Sequence, residues 1–239
     1  MLLILHPPLA NPEAKPHQPL KTIGILFDLD GTLVDSLTGI AASLNRALAA
    51  EGLPTHNLDA VRGFIGNGAR ILVTRGAAPL DDPSLIDHLE IAFKSDYDLK
   101  WPEGTHPYPG ISESLTKLHQ AGHSLAVLSN KPDPFTVAIV ARLFPDIPFA
   151  AVIGQKPGIP HKPHPAGAFE ASRMMNRATT ECVLIGDSTM DIETARAANM
   201  RAIAVPWGYH DRHALEALSP DAWIESPHAL AKTIALLSE

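Results

Sequence analysis

Short apolar runs alternate along the chain with segments in which apolar residues recur at helical spacing. The first run, residues 23–27, is long enough for a strand, and its nearly continuous apolar character is typical of a strand covered on both faces of a parallel sheet. Further runs of strand length lie at residues 125–128, 151–153, 182–185, 202–205 and 222–224. Because strands that alternate with helices build βαβ units, the pattern predicts an α/β fold with a parallel sheet and right-handed crossovers.

A long helical stretch interrupts this alternation after the first predicted strand. Residues 37–105 show helical spacing, as between Ile40 and Leu44, and no convincing strand. We therefore expect them to form an inserted α-helical domain. Residues 21–36 and 106–239 would then form the sheet-containing core.

Composition and charge exclude several classes of protein. The 239 residues, 45% of them hydrophobic, fit a soluble globular protein with a sizeable core. The net charge of -7 makes nucleic acid and anionic membranes poor partners. The single cysteine, Cys182, excludes an internal disulfide, and its place in an apolar run is typical of a packed thiol and not of a reactive one.

The amino terminus begins with a short apolar run and then turns proline-rich. The run is too short to span a membrane, and no basic region precedes it as in a signal peptide. We expect residues 1–20 to be an irregular tail. Since no targeting segment is evident, we expect the protein to be cytoplasmic.

The run at residues 23–27 ends in two carboxylates, Asp28 and Asp30, with Gly31 directly after them. Alternation along an extended chain places both Asp side chains on the same side. Glycine allows a sharp exit that keeps them at the carboxyl end of the strand, where ligands of open α/β sheets bind. A solvated Asp-Gly turn is the alternative. Because neighbouring carboxylates repel each other, the pair favours a nucleophile beside an acid/base, screened by a divalent cation.

Polar side chains also follow two later predicted strands: Ser129 and Asn130 after one, and Asp187 and Asp191 after the other. In addition, Lys162 lies at the start of a predicted helix. The carboxyl ends of parallel strands meet at one edge of a sheet, so we expect these groups to lie together with the two carboxylates of the first strand. Carboxylate oxygens suit Mg²⁺. A lysine, a hydroxyl and backbone N–H groups suit phosphate oxygens.

In order and type, these residues resemble the motifs of the haloacid dehalogenase superfamily of phosphatases. Residues 28–32 match its Asp-x-Asp-Gly-Thr motif, and Ser129, Lys162 and the segment 186–191 follow in the expected order. The resemblance implies a Rossmann-like parallel sheet core with an inserted α-helical cap. Within the superfamily, residues 65–69 are similar to the cap loop of phosphoglycolate phosphatases.

The resemblance implies a role for each acidic residue. Asp28 would attack phosphorus and form an aspartyl-phosphate. Asp30 would protonate the leaving alcohol and then deprotonate the water that hydrolyses the intermediate. Mg²⁺ would be held by Asp28, the backbone carbonyl of Asp30 and Asp187, with Asp191 supporting this shell less directly. Because a departing halide needs no acid, the presence of Asp30 favours phosphate esters over haloacids.

Other residues would hold the substrate. The resemblance implies that Ser129 and the backbone of Asn130 bind phosphoryl oxygens and that Lys162 neutralises transition-state charge, as phosphoryl transfer requires. The cap would select the substrate, through candidate residues Gly66, Asn67, Gly68 and Arg75. Arginine pairs with carboxylates in a bidentate manner, but an arginine on a cap helix is more often solvated, which is the alternative for Arg75. Lys131 also has two interpretations, contact with phosphate or a cap acid and a structural or solvated role.

We therefore expect a Mg²⁺-dependent phosphatase that acts on a small phosphomonoester, first of all 2-phosphoglycolate, which it would convert to glycolate and phosphate. A sugar-phosphate phosphatase or a phosphomutase of the same superfamily is the alternative, and it would differ mainly in its cap contacts. A receiver-type signalling domain would need neither Asp30 nor the helical insert, and a silent metabolite sensor would not need the complete acidic set. The expected partner is a small phosphorylated metabolite, with no nucleic acid and no membrane, bound by a monomer or homodimer.

Overall fold

Strands alternate with helices over the part of the chain that the computed structural model describes, residues 21–237. The predicted tail at residues 1–20 lies outside the described residues. The strands in chain order are β1 (Gly24–Phe27), β2 (Val34–Asp35), β3 (His106–Pro107), β4 (Ser124–Pro132), β5 (Ala151–Gln155), β6 (Cys182–Gly186), β7 (Arg201–Ala204) and β8 (Ala222–Trp223). The helices are α1 (Leu37–Ala50), α2 (Leu58–Arg62), α3 (Ala69–Ala77), α4 (Pro83–Lys100), α5 (Ile111–Gln120), α6 (Asp133–Leu143), α7 (Ala166–Met174), α8 (Thr189–Ala197), α9 (Arg212–Ala217) and α10 (Leu230–Leu237).

β1 lies inside a six-stranded parallel sheet with the order β5-β4-β1-β6-β7-β8. Phe27 at its end pairs with Val127 of β4 and with Ile185 of β6. Ile25 and Phe27 pack into one apolar cluster and Leu26 into another, because successive side chains of a strand point to opposite faces. The sheet is therefore covered on both faces, which confirms the predicted α/β fold.

β4 is longer than its apolar pattern predicts. The predicted run stops at residue 128, whereas the strand continues to Pro132, which pairs with Gln155 of β5 after a register shift. Three of the added residues, Ser129, Asn130 and Lys131, are polar yet buried, with exposures of 5%, 5% and 8%. The apolar pattern thus ends where the candidate site residues of this strand begin.

A two-stranded antiparallel sheet joins the two ends of the helical segment. β2 pairs with β3 through Val34 with Pro107 and Asp35 with His106. These strands were not predicted, because two residues carry no periodic signal. Their pairing brings the residues just before the helical segment next to those just after it. The division of the chain into a core and a cap domain stays a prediction.

The segment between β2 and β3 is helical, as predicted, and α1, α3 and α4 pack against one another. α4 has a side-chain cap: Asp82 accepts hydrogen bonds from the backbone N–H groups of Ser84 and Leu85 at 2.9 and 3.4 Å, and Pro83 occupies the first turn. Within residues 21–237, no helix has the length and apolar character needed to cross a membrane.

Candidate active site

Asp28 directly follows β1 and continues its pairing, because its backbone N–H donates to the carbonyl of Ile185 at 2.9 Å. Its carboxylate accepts a hydrogen bond from the N–H of Leu29 at 2.7 Å. Gly31 then turns the chain with φ +85°, and a side chain at this position would collide with the carboxylate of Asp187. The turn therefore requires glycine, and it brings the ends of β1 and β6 together.

Three carboxylates form a buried acidic cluster at this edge of the sheet. One oxygen from each of Asp28, Asp187 and Asp191 lies within 4.8 Å of the others. Burial raises the pKa of Asp28 to about 8, an effect that Lys162 opposes and the other two carboxylates reinforce. Burial and the charge of Asp191 likewise raise the pKa of Asp187 to about 7. Buried oxygen donors that repel one another fit a hard divalent cation.

Asp191 lies nearer to this cluster than its supporting role in the motif indicates, but both of its oxygens already have protein partners. Oδ2 accepts hydrogen bonds from the backbone N–H and the hydroxyl of Ser188, at 3.0 and 2.6 Å, at the start of α8. Oδ1 accepts from the ammonium of Lys162 at 2.6 Å. Because the ammonium of Lys162 would repel a metal ion at Asp191, this contact favours a supporting place for Asp191 over direct ligation.

Lys162 links two of the carboxylates, since its ammonium lies 3.0 Å from Asp28 and 2.6 Å from Asp191. Burial alone would lower the pKa of Lys162, but the two carboxylates raise it above its ordinary value. Asn130 holds the backbone of Lys162: its side-chain oxygen accepts from the lysine N–H at 2.8 Å, and its amide donates to the lysine carbonyl at 3.1 Å. A charged ammonium thus lies 3.0 Å from the Asp28 carboxylate, where it can neutralise negative charge.

Asp30 has its own set of partners. The ammonium of Lys131 lies 3.0 Å from both of its oxygens, and the hydroxyl of Ser36 donates to one of them at 2.5 Å. The hydroxyl of Tyr209 accepts in turn from the N–H of Ser36 at 2.7 Å. The side chain of Lys131 is 5% exposed, which excludes a solvated role. Ser36 carries no sequence signal of its role, because a serine before a helix more often caps it.

Asp187 is held by the segment that follows β7. Its two oxygens accept hydrogen bonds from the hydroxyl of Thr32 and from the backbone N–H of Tyr209, each at 2.8 Å. Trp207 donates from its indole N–H to the carbonyl of Thr32 at 3.1 Å. Tyr209 therefore touches both halves of the site, Asp187 through its backbone and the Asp30 network through its hydroxyl.

The loop between α2 and α3 lies against the edge of the sheet. The side-chain amide of Asn130 donates to the carbonyl of Gly66 at 3.0 Å. Gly66 and Gly68 have φ values of +115° and +85°, and a side chain on Gly68 would collide with His161. These glycines are thus required both by the backbone conformation and by the close approach of the loop.

A cavity of about 60 Å³ lies between this loop and the strand ends. This volume has room for only a few water-sized groups. Its polar wall includes Asp28, Asp30, Ser129, Asn130, Lys131 and Asp187. Its apolar wall includes Ile40, Ile65, Leu72, Phe93 and Tyr97. Most of the predicted catalytic and metal-binding residues therefore share one small cavity, and Lys162 contacts one of them.

Two of the predicted substrate-binding residues, Arg75 and Asn67, line a neighbouring groove and not this cavity. The guanidinium of Arg75 donates to the carbonyl of Phe64 and to the side-chain oxygen of Asn67, each at 3.0 Å. Arg75 therefore holds the loop together, and in this arrangement it does not meet a carboxylate of a substrate bound in the cavity.

The raised pKa values predict how stability depends on pH. Because folded Asp28 and Asp187 bind protons more tightly than an unfolded aspartate does, the metal-free protein loses stability as the pH rises from about 4 to 8, by about 1.4 kcal/mol per pH unit for each extra proton held. Mg²⁺ should flatten this decline. Urea denaturation with EDTA or with Mg²⁺ measures it, and Asp187→Asn should reduce the slope. A metal-free unfolding free energy that stays level or rises over this range contradicts the prediction.

Known protein sequences are similar to this chain over most of its length. The chain matches the family model for haloacid dehalogenase-like hydrolases over residues 25–205. A phosphoglycolate phosphatase from Mesorhizobium japonicum is 35% identical over 214 residues, which cover 88% of this chain and 94% of that protein. Another from Pectobacterium atrosepticum is 34% identical, over 84% of this chain and 88% of that protein.

Solved structures share the architecture. A crystal structure of a predicted phosphoglycolate phosphatase from Haemophilus somnus superposes with a TM-score of 0.83 at 28% identity, over 89% of this chain and 98% of that one. A crystal structure of a second predicted phosphoglycolate phosphatase, from Lactobacillus delbrueckii subsp. bulgaricus, superposes with a TM-score of 0.84 at 29% identity. The match covers 90% of this chain and 98% of that one. The similarity thus extends through the helical segment as well as the sheet.

Proposed function

Because the chain belongs to the haloacid dehalogenase-like hydrolase family, we propose that it is a Mg²⁺-dependent phosphatase that hydrolyses a small phosphomonoester through an aspartyl-phosphate on Asp28. The observation that carries the proposal is the contact of Asp28 with Lys162 inside a buried acidic cluster, next to a cavity that also contains Asp30. A nucleophile, a counter-charge and an acid/base then lie within reach of one phosphoryl group.

In the first half-reaction, Asp28 attacks phosphorus and the bond to the leaving oxygen breaks. The N–H of Leu29 and the ammonium of Lys162 both contact Oδ1 of Asp28, which leaves Oδ2 for the attack. The hydroxyl of Ser129 accepts from the N–H of Lys131 at 3.2 Å, so its own proton is free for a phosphoryl oxygen. Asp28 and Asp187, with the backbone carbonyl of Asp30, would hold Mg²⁺, which supplies positive charge to the phosphoryl oxygens.

Asp30 would transfer the protons of both half-reactions. It would donate a proton to the leaving alcohol and later accept one from the water that attacks the aspartyl-phosphate. The contacts with Ser36 and Lys131 hold its carboxylate in one orientation beside the cavity. A fixed orientation matters because proton transfer requires the donor and acceptor at hydrogen-bond distance.

We propose 2-phosphoglycolate as the preferred substrate. The two relatives compared above are named for it, and the small size of the cavity favours a compact ester over a sugar phosphate. A sugar-phosphate phosphatase or a phosphomutase of the same family is the second candidate. It would require the helical segment to lie further from the sheet, so that the cavity is larger.

A phosphate-release screen tests this proposal. With Mg²⁺ present, 2-phosphoglycolate should give the highest kcat/KM among small phosphate esters, and EDTA should abolish release. The screen should include sugar phosphates, with and without a sugar bisphosphate activator. A higher kcat/KM for a sugar phosphate would reject the proposed substrate, and a product that keeps its phosphate in the presence of the activator would identify a phosphomutase.

A further inference from the structure

Lys131 is the cationic residue of the cavity. Among the described residues that line it, no other lysine or arginine is present. Its side chain is buried, and a lysine carries a positive charge at ordinary working pH. A substrate that carries a second negative group would meet this charge inside the cavity.

The positive charge of Lys131 is balanced in this structure by Asp30, whose two oxygens both lie 3.0 Å from the ammonium. Because an ammonium has three N–H donors, Lys131 can bind an anionic group of the substrate while it keeps its contact with Asp30.

Tyr97 provides a second, independent indication. This residue of α4 lines the cavity and is 1% exposed, and its ring centre lies 4.5 Å from the Lys131 ammonium. Its hydroxyl and the neighbouring hydroxyl of Thr105 are both buried, and neither makes a hydrogen bond of acceptable geometry among the described residues. A buried hydroxyl without a partner is costly. A carboxylate oxygen bound between the two side chains would satisfy it.

The spacing along β4 fits a compact substrate. Ser129, which we place at the phosphoryl group, and Lys131 are two residues apart and line the same cavity. Two residues of a strand span about 6–7 Å. In 2-phosphoglycolate only an ester oxygen and one methylene carbon separate the phosphoryl group from the carboxylate, so the two groups can reach both residues at once.

We infer that Lys131 and Tyr97 form the subsite that binds the carboxylate of the substrate. The inference rests on the proposed function and deepens it: the enzyme would select small phosphate esters with a carboxylate next to the ester carbon. Lys131 would thus contact the substrate carboxylate, whereas Arg75 contacts its own loop.

The test compares 2-phosphoglycolate with ethyl phosphate, in which a methyl group replaces the carboxylate. Lys131→Met should lower the ratio of the two kcat/KM values by about 30-fold, as for one hydrogen bond to a charged group. Tyr97→Phe, which keeps the packed ring, should lower it about 5-fold. The matched control is Lys94→Met. Lys94 follows the cavity-lining Phe93 on α4 but pairs with Glu90 and does not line the cavity, so this variant should leave the ratio unchanged.

Binding titrations separate this inference from the proposed catalysis. In an Asp28→Asn background with Mg²⁺, Lys131→Met should lower the ratio of affinities for the same two esters. If the wild-type protein releases phosphate but neither ratio changes, Lys131 acts only on Asp30, and the carboxylate subsite is rejected while the phosphatase stands. If the wild-type protein releases no phosphate and the ratio of affinities still falls, the subsite stands and the proposed catalysis is rejected.

Discussion

Replacing Asp28 with asparagine is expected to abolish phosphate release while leaving the fold intact. The amide is not a nucleophile toward phosphorus, so kcat should fall by about 10⁴-fold or more. The fold should survive because burial already disfavours the charged form of Asp28, as its raised pKa shows, and Lys162 keeps its contact with Asp191 at 2.6 Å. Steady-state phosphate release and thermal unfolding of the same preparation measure the two effects.

The control for this variant is Asp98→Asn on α4. Asp98 is an exposed aspartate outside the cavity, so the same chemical change there should leave both rate and melting temperature as in the wild type. A folded Asp28→Asn protein that still releases phosphate at a near-normal rate would remove Asp28 as the nucleophile.

Asp30→Asn is expected to slow both half-reactions, by about 10²- to 10⁴-fold for an alkyl phosphate. An aryl phosphate provides the sharper result, because a phenolate leaves without a proton. Formation of the intermediate from p-nitrophenyl phosphate should then be slowed little, while its hydrolysis still lacks a base. Rapid-quench kinetics should show a burst of nitrophenol near one equivalent per enzyme.

The same experiment distinguishes the two roles of Asp30. A variant that hydrolyses the intermediate at the wild-type rate would leave Asp30 as an acid only. Ser36→Ala is a useful companion, since it removes one hydrogen bond to the Asp30 carboxylate and keeps the carboxyl group itself. It should lower the rate by about 10-fold or less and should give no burst.

The central part of the site was predictable from the sequence. Asp28 and Asp30 end an apolar run, and Asp187 follows another, so the topology of a parallel sheet alone brings them to one edge. The motif resemblance then identified the family, and the family comparison confirms it. The helical character of residues 37–105 followed from periodicity and is also confirmed.

Other features could not be predicted, because they depend on contacts between distant segments. Tyr209 reaches Ser36 across 173 positions of the chain, and no periodic pattern marks such a pair. For Arg75 the sequence left a substrate contact and a solvated position open, and only the structure shows that it holds its own loop. Lys131 had two open interpretations until its burial against Asp30 excluded solvent.

The most direct test of the central claim is to trap the aspartyl-phosphate. A protein incubated with Mg²⁺ and substrate, quenched in acid and reduced with borohydride should carry homoserine at position 28, detected by peptide mass spectrometry. The yield should rise in the Asp30→Asn variant with an aryl phosphate, and it should vanish without substrate. Steady phosphate release with no modification at Asp28, in the wild type and in the variant, would contradict the account.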